Sequence, residues 1–167
     1  ETDAVELRVG DVVEETADAH AIQFDLPEVL AEHFGYRPGQ FLTVAVPSDL
    51  TGLAARCYSL SSSPVGGGPL TITVKRTVDG YASNWICDNL REGDTLRVLP
   101  PSGIFTPRDL DADLMLFAGG SGVTPVMSIA RSALETGHGQ IVLFYATRAE
   151  TSEIFAQEFG ALSTEYG

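Results

Sequence analysis

Three short segments of this chain carry side chains or bare backbone suited to gripping phosphates and a flat aromatic ring. In Arg56-Cys57-Tyr58-Ser59 a guanidinium able to hold a phosphate with two parallel hydrogen bonds stands two residues from a phenol able to lie on a ring, and a hydroxyl able to bond a ring nitrogen follows. In an extended strand this spacing puts Arg56 and Tyr58 on one face and Ser59 on the other. The tetrapeptide also reads as an ordinary strand with a surface Arg and a half-buried Tyr. The second segment, Asp79-Gly80-Tyr81-Ala82-Ser83, leads into a helix at Asn84, whose unpaired N–H groups and positive dipole end suit an anion. A glycine turn capped by Ser83, with no ligand, is the alternative. The third, Gly119-Gly120-Ser121-Gly122-Val123-Thr124-Pro125, follows an apolar strand and opens a helix with Pro at an early position. Missing side chains there let a pyrophosphate approach the backbone. It departs from G-x-G-x-x-G because Pro125 stands where the third Gly would be, and it also reads as a bare tight turn.

The elements that must hold these segments follow from patterning. Up to residue 110 the chain is dense in short alternating or β-branched runs broken by Gly, Pro and Asp, and strands are predicted at 6–14, 20–25, 41–46, 55–60, 70–76 and 95–99. Strands this short and this many fit a closed or nearly closed antiparallel barrel, since closure removes exposed edges. A helix is predicted at 83–90, capped by Ser83 with Trp85, Ile86 and Leu90 at helical spacing, and a weaker one at 28–34. After Pro107 the pattern becomes an apolar strand at 114–118, the glycine turn, a helix at 125–134 and a strand at 141–145, which implies a parallel pair. A last helix at 152–162 opens with a Ser and puts Ile154, Phe155, Phe159 and Leu162 on one face. Residues 1–110 and 111–167 thus read as an all-β unit followed by the first half of an α/β unit. In such a sheet the run Leu114-Met115-Leu116-Phe117 is expected to be central, paired on both sides and covered on both faces.

Composition narrows the function. Among 167 residues, 44% are hydrophobic and 20% charged, close to soluble globular averages, and no apolar run reaches the roughly 20 residues of a membrane span. The 23 acidic against 10 basic side chains give a net charge of -13, which repels phosphate backbones and anionic membrane surfaces, so nucleic acid is not an expected partner. Cys57 and Cys87 are too few for a disulfide framework or a four-thiolate cluster and are expected to be small apolar fillers in a reducing, cytoplasmic setting. The first residues show no signal-peptide pattern. His20, His33 and His138 have no metal-ligand spacing and are expected at the surface, and no metal site is expected. Nothing in the order of Ser, His and Asp argues for hydrolysis.

Taken in order, these segments resemble the ferredoxin-reductase superfamily, in which a flavin barrel precedes a nicotinamide-nucleotide domain. Arg56-Cys57-Tyr58-Ser59 matches its R-x-Y-[ST] motif, which implies Arg56 on the FAD pyrophosphate, Tyr58 on the isoalloxazine face and Ser59 near the flavin N5. Val74-Lys75-Arg76 is similar to the strand whose backbone runs along the FAD, with Val74 and Lys75 as the expected contacts. Gly80-Tyr81-Ala82-Ser83 is similar to the G-x-x-S loop that holds the FAD phosphates, and Gly119, Gly120, Ser121, Gly122, Val123, Thr124 and Pro125 to the nucleotide-phosphate turn, with Thr124 where flavin and nicotinamide meet. Thr147 and Arg148 fall where the family chooses between NADH and NADPH. Segments 36–41, 56–64, 74–89 and 101–105 look like reductase components of actinobacterial Rieske oxygenases, of the phenylacetate-type branch, with steroid catabolism as the setting. The resemblance implies an all-β FAD-binding Greek-key antiparallel barrel followed by a partial α/β nucleotide-binding domain. It implies an NAD(P)H-dependent FAD oxidoreductase in which Ser59, Tyr58 and Thr124 lie nearest the reacting rings. Electrons would pass to an oxygenase or iron–sulfur acceptor, the [2Fe-2S] cluster residing in residues not present in this chain. A non-catalytic FAD-binding module and the reductase portion of a flavohaemoprotein remain as alternatives.

Overall fold

A computed structural model describes residues 3–167. Strands β1 (Val5–Thr16), β2 (Ala19–Asp25), β3 (Phe41–Ser48), β4 (Gly52–Ser59), β5 (Leu70–Lys75) and β6 (Thr95–Ser102) form one antiparallel sheet in the order β4-β3-β6-β1-β2-β5. The first and last of these strands are neighbours in its middle, with Val5 opposite Val98. Period-2 alternation sends Leu42, Val44 and Val46 of β3 and Ile22 and Phe24 of β2 into one core, where burial of each large side chain contributes about 1.5–3 kcal/mol. The sheet curls until its outer strands meet through a single bridge, Leu60 to Ile72, helped by Ser61 N–H donating to the Thr71 carbonyl at 2.9 Å. It is therefore barrel-like and not fully closed. Helix α1 (Tyr81–Asn89) contacts β3, β4 and β5 and sends Ala82, Ile86 and Cys87 into the core.

The second part is β7 (Leu114–Gly119), α2 (Val123–Thr136), β8 (Ile141–Ala146) and α3 (Ala156–Tyr166), with β7 and β8 paired in parallel. It docks on the outer face of β2, where Ala19 is sealed by Val123, Met127, Ile154 and Phe155. This second burial explains why β2 lacks a clean polar face. The linker into β7 is clasped by the turn before β3: Gln40 Nε2 donates to the Gly103 carbonyl and Arg37 Nη2 to the Pro107 carbonyl, both at 3.1 Å. Gly39, at φ +98, lies so close to the Phe105 carbonyl that a Cβ would collide with it.

Several expectations are corrected. Only Glu28–Leu30 of the weaker helix forms, as one 3₁₀ turn; the turns that follow keep Leu30 and Phe34 against the core, with Phe34 N–H donating to the Leu30 carbonyl at 2.9 Å, while Val29 points outward. Helix α1 begins at Tyr81 with Gly80 as its N-cap, so Ser83 is not the cap; its hydroxyl accepts the Thr77 N–H at 3.1 Å from inside the first turn. Helix α3 begins at Ala156 rather than Ser152, after a 3₁₀ turn at Glu150–Ser152 and a left-handed Phe155 at φ 66. Ile154 and Phe155 precede the helix yet pack with Phe159 and Leu162 as one cluster. Among the described residues β7 pairs with β8 alone, and Met115, Phe117, Val142 and Phe144 form an exposed face with the two Phe rings stacked at 5.0 Å. The expected coverage of both faces is not present among these residues. Cys57 is exposed rather than a filler, and His20 is half-buried with Nδ1 sealed and unpartnered. No described helix is long and apolar enough to cross a membrane.

Glu15, at the end of β1, is half-buried where α2 and α3 meet the barrel. Burial and the Glu158 carboxylate push its pKa up, opposed by Arg131. A carboxyl raised in the folded state contributes stability that is present below the ordinary carboxylate pKa and lost as pH rises through the raised one. Glu15→Gln is expected to raise Tm near neutral pH, with the gain shrinking toward about pH 4; thermal denaturation across that range measures it.

Candidate functional site

A cleft of about 800 Å³ lies between the two parts, lined by Lys75 and Arg76 from the barrel, Gly119, Gly120 and Ser121 from the turn after β7, and Thr147 and Arg148 from the end of β8. Segments predicted separately are thus brought to one place. Gly120 needs its glycine, since φ is +51, but Gly119 and Gly122 sit at φ -132 and -62, which any residue adopts. A Cβ at any of the three would meet nothing within 4 Å. Nothing in the folded chain requires bare backbone at 119 and 122, and Gly119 lines the cleft. Helix α2 starts here with no side-chain cap, directly after a 3₁₀ turn at Gly120–Gly122 whose Gly120 and Ser121 carbonyls take the Val123 N–H, so the anion-suited positive end begins at the glycine turn. The Thr124 side chain is buried and its hydroxyl donates to the Ser121 carbonyl at 3.0 Å, so it braces the turn.

Charge agrees with shape. The chain is strongly acidic, yet the cleft gathers Lys75, Arg76 and Arg148 against one lining carboxylate, Asp18. Lys75 pairs with Asp18 at 3.3 Å and Arg76 with Asp88 at 2.8 Å, while Arg148 forms no ion pair among the described residues. An anion is favoured here despite the overall field.

The second half of the site lies on the barrel. Arg56 and Tyr58 share the core-facing side of β4, opposite Val44 and Leu42, and Ser59 turns to the other side. The Arg56 guanidinium is exposed and makes one hydrogen bond, to its neighbour's carbonyl at 2.7 Å, so its other donors are free. Tyr58 is half-buried against the core, and burial, opposed by Arg56, pushes its phenol up to about 12, which keeps it neutral. Helix α1 presents an uncapped N-terminus fastened to the β3–β4 hairpin by the Tyr81 hydroxyl, which donates to the Pro47 carbonyl at 2.7 Å. A Cβ on Gly80 would press on Thr77 and Ser83. A free guanidinium and an uncapped helix start on one hairpin fit a diphosphate better than a single phosphate. Val74, Ala82, Ser83 and Val123 are buried and offer only backbone, and β5 is an edge strand with backbone groups to offer. Thr77 lines the cleft and is held by Ser83, so the loop before α1 is a wall common to both halves.

Sequence reasoning missed Asp18, which lies between β1 and β2, and Tyr145, whose hydroxyl donates to the Gly120 carbonyl at 3.3 Å and accepts the Ile154 N–H at 3.2 Å. A phenol closing an apolar strand was the available signal. Among the described residues no cluster of His, Cys, Asp and Glu is arranged to hold a metal ion.

This combination of a flavin-type barrel and a glycine-turn α/β unit defines a class, and the comparisons agree. The family model for the oxidoreductase FAD-binding domain matches residues 6–106, and that for the oxidoreductase NAD-binding domain matches residues 116–167. The chain belongs to the oxidoreductase FAD-binding domain family. Within it, the chain is 58% identical to the ferredoxin reductase component of 3-ketosteroid-9-alpha-monooxygenase from Rhodococcus rhodochrous, over 98% of this chain and 46% of that protein. It is 37% identical to the glycine betaine monooxygenase reductase subunit of Pseudomonas aeruginosa, over 91% of this chain and 41% of that protein. The solved structure of phthalate dioxygenase reductase, described as a modular structure for electron transfer from pyridine nucleotides to [2Fe-2S], superposes with a TM-score of 0.78 at 28% identity, covering 93% of this chain and 47% of that one. The chain spans about half the length of the curated relatives it matches.

The two kinds of glycine separate by stability. Gly39→Ala is expected to cost about 2 kcal/mol or more, roughly 5 °C in Tm, from positive φ and the collision at Phe105. Gly122→Ala is expected to stay within about 1 kcal/mol. Parallel thermal melts of the two variants check the contrast.

Proposed function

We propose that this chain is the flavin-binding and leading nucleotide-binding portion of an NAD(P)H-dependent reductase that feeds electrons to a Rieske-type oxygenase, with steroid catabolism as its setting. The carrying observation is Gly119, a glycine the fold does not require, set beside the cations of the cleft, with Gly122 equally unrequired where α2 begins. The relatives' names supply the acceptor class, and the 3-ketosteroid relatives the steroid link. Residues 1–110 and 111–167 are the two working units, in line with the end of β6 at Ser102 and the start of β7 at Leu114. The [2Fe-2S] cluster belongs to polypeptide outside this chain. Two free cysteines suit a reducing, cytoplasmic location.

In this reading Arg56 and the N-terminal N–H groups of α1 hold the FAD diphosphate, with Gly80, Tyr81, Ala82 and Ser83 shaping the loop, and Val74 and Lys75 line the cofactor through their backbone. Tyr58 lies against the isoalloxazine ring and Ser59 donates a hydrogen bond at its N5 edge. Gly119, Gly120, Ser121, Gly122, Val123 and Pro125 form the pyrophosphate turn for the nicotinamide dinucleotide, and Thr124 stands beside the nicotinamide. Thr147 and Arg148 meet the adenosine end, where NADH is the proposed donor and Arg148 stacks on adenine. A bound flavin would supply the hydride and single-electron chemistry, so the roles of these residues are to hold and orient the two rings, with no acid or base needed from the protein.

The full-length reductase tests this. It should carry FAD rather than FMN, and its visible absorbance should bleach on anaerobic NADH, more readily than on NADPH. Losing one charged hydrogen bond costs about 1.5–3 kcal/mol, so Arg56→Ala should weaken FAD retention about ten- to hundredfold. Unchanged FAD affinity in that variant removes the assignment of Arg56, and a flavin that NADH leaves oxidised removes the reductase reading.

A further inference from the structure

Ser59 closes β4 and Thr124 opens α2, and in the reading above they stand beside the two reacting rings. What fixes one against the other lies next door to both. Three residues after Ser59, the Ser62 carbonyl accepts a hydrogen bond from Ser128 Oγ at 2.6 Å. Ser128 is fully buried and lies one helical turn beyond Thr124.

The other α2 hydroxyls behave differently. A serine or threonine inside a helix commonly bonds back to the carbonyl four residues earlier. Ser132 does so to Ser128 at 2.7 Å, while also lying 3.1 Å from Ser63 Oγ, and Thr136 does so to Ser132 at 2.6 Å. Ser128 instead directs its only proton across the joint between the two parts of the chain. Its acceptor is itself held rigidly: Ser62 is buried, and its Oγ accepts the Thr71 N–H at 3.1 Å and bonds the Tyr36 hydroxyl at 2.6 Å. Two turns further along α2, Ser63 Oγ bonds the Glu135 carboxylate.

We propose that Ser128 is a positioning residue for hydride transfer: its bond to the Ser62 carbonyl sets the separation between the flavin strand at Ser59 and the nucleotide turn at Thr124. The inference rests on the proposed reductase function. Two short, stiff segments, 59–62 along the chain and 124–128 along the helix, transmit one buried hydrogen bond to the place where rings must stack. A displacement of about 1 Å at such a place costs on the order of a hundredfold in rate. An alanine at 128 would fill the helix position and remove the bond to the Ser62 backbone, leaving the side-chain contacts of Ser63 with Ser132 and Glu135 to hold the joint less directly.

The test uses the full-length reductase with and without Ser128→Ala. With FAD bound, the variant is expected to keep its flavin and its KM for NADH within about twofold, while the rate constant of anaerobic bleaching at saturating NADH falls tenfold or more. A merely structural role would lower Tm and leave that saturated rate unchanged in the folded protein. In the apoprotein, amide exchange should accelerate together in residues 60–64 and 123–128 and stay unchanged in β5. Equal saturated rates, or exchange unchanged in those two segments, overturn the inference. A wild-type protein that NADH does not bleach overturns the reading beneath it, which the exchange result distinguishes.

Discussion

Strand β2 is buried on both faces, and the site depends on this. Ile22 and Phe24 look into the barrel core, while Ala19 and Ala21 look outward onto the region of α2 and Phe155. Only small residues on that outer face let a helix come close enough to seal it. Because α2 begins directly at the glycine turn, seating the helix on β2 also places the turn across from Lys75 and Arg76. The cleft is thus tied to core packing, since Ala19 seats the start of the helix that carries the glycine turn.

The electrostatics of the site run against those of the whole molecule. A net charge of -13 surrounds a cleft where three cations face one lining carboxylate. Asp18 holds Lys75 and Asp88 holds Arg76, so both cations are orientated before any anion arrives, at the cost of part of their field. Arg148 stays uncommitted at the far end. The acidic exterior would in turn repel other acidic proteins.

Much of this was legible in the sequence, and the residues show why. Alternation along β3 and the change of pattern after Pro107 define the two architectures, since side-chain period is a local property. The glycine turn was recognisable because strand, bare backbone and helix follow one another directly. Other features are set by tertiary contact. Ser83 has the composition of a cap and serves as a brace, because Thr77 N–H reaches it first. Phe155 looks like a helix residue, yet its left-handed backbone aims it at α2 before the helix starts. Ser128 and Ser132 have the same side chain on the same helix, and only the positions of Ser62 and Ser63 tell that the first reaches a backbone carbonyl across the joint and the second a side-chain hydroxyl. The family motifs point to backbone and side chains alike, whereas the structure shows that Val74, Ala82 and Val123 can contribute backbone alone.

The placement of β6 has a consequence for how the barrel is made. As the last strand of the barrel in sequence, it sits between β3 and β1, so Val98 must find Val5 across almost the whole length of the unit. Until it arrives, the β3–β4 hairpin and the β1–β2–β5 group each expose an unpaired edge that other chains could add to. Such high contact order predicts slow folding with a late, cooperative closure. During synthesis the barrel stays incomplete until β6 has left the ribosome, and the glycine turn, α2 and β8 emerge only after that. The helix that defines the cleft therefore meets a β2 surface whose inner face has already been settled, which makes the flavin half the template on which the nucleotide half is built.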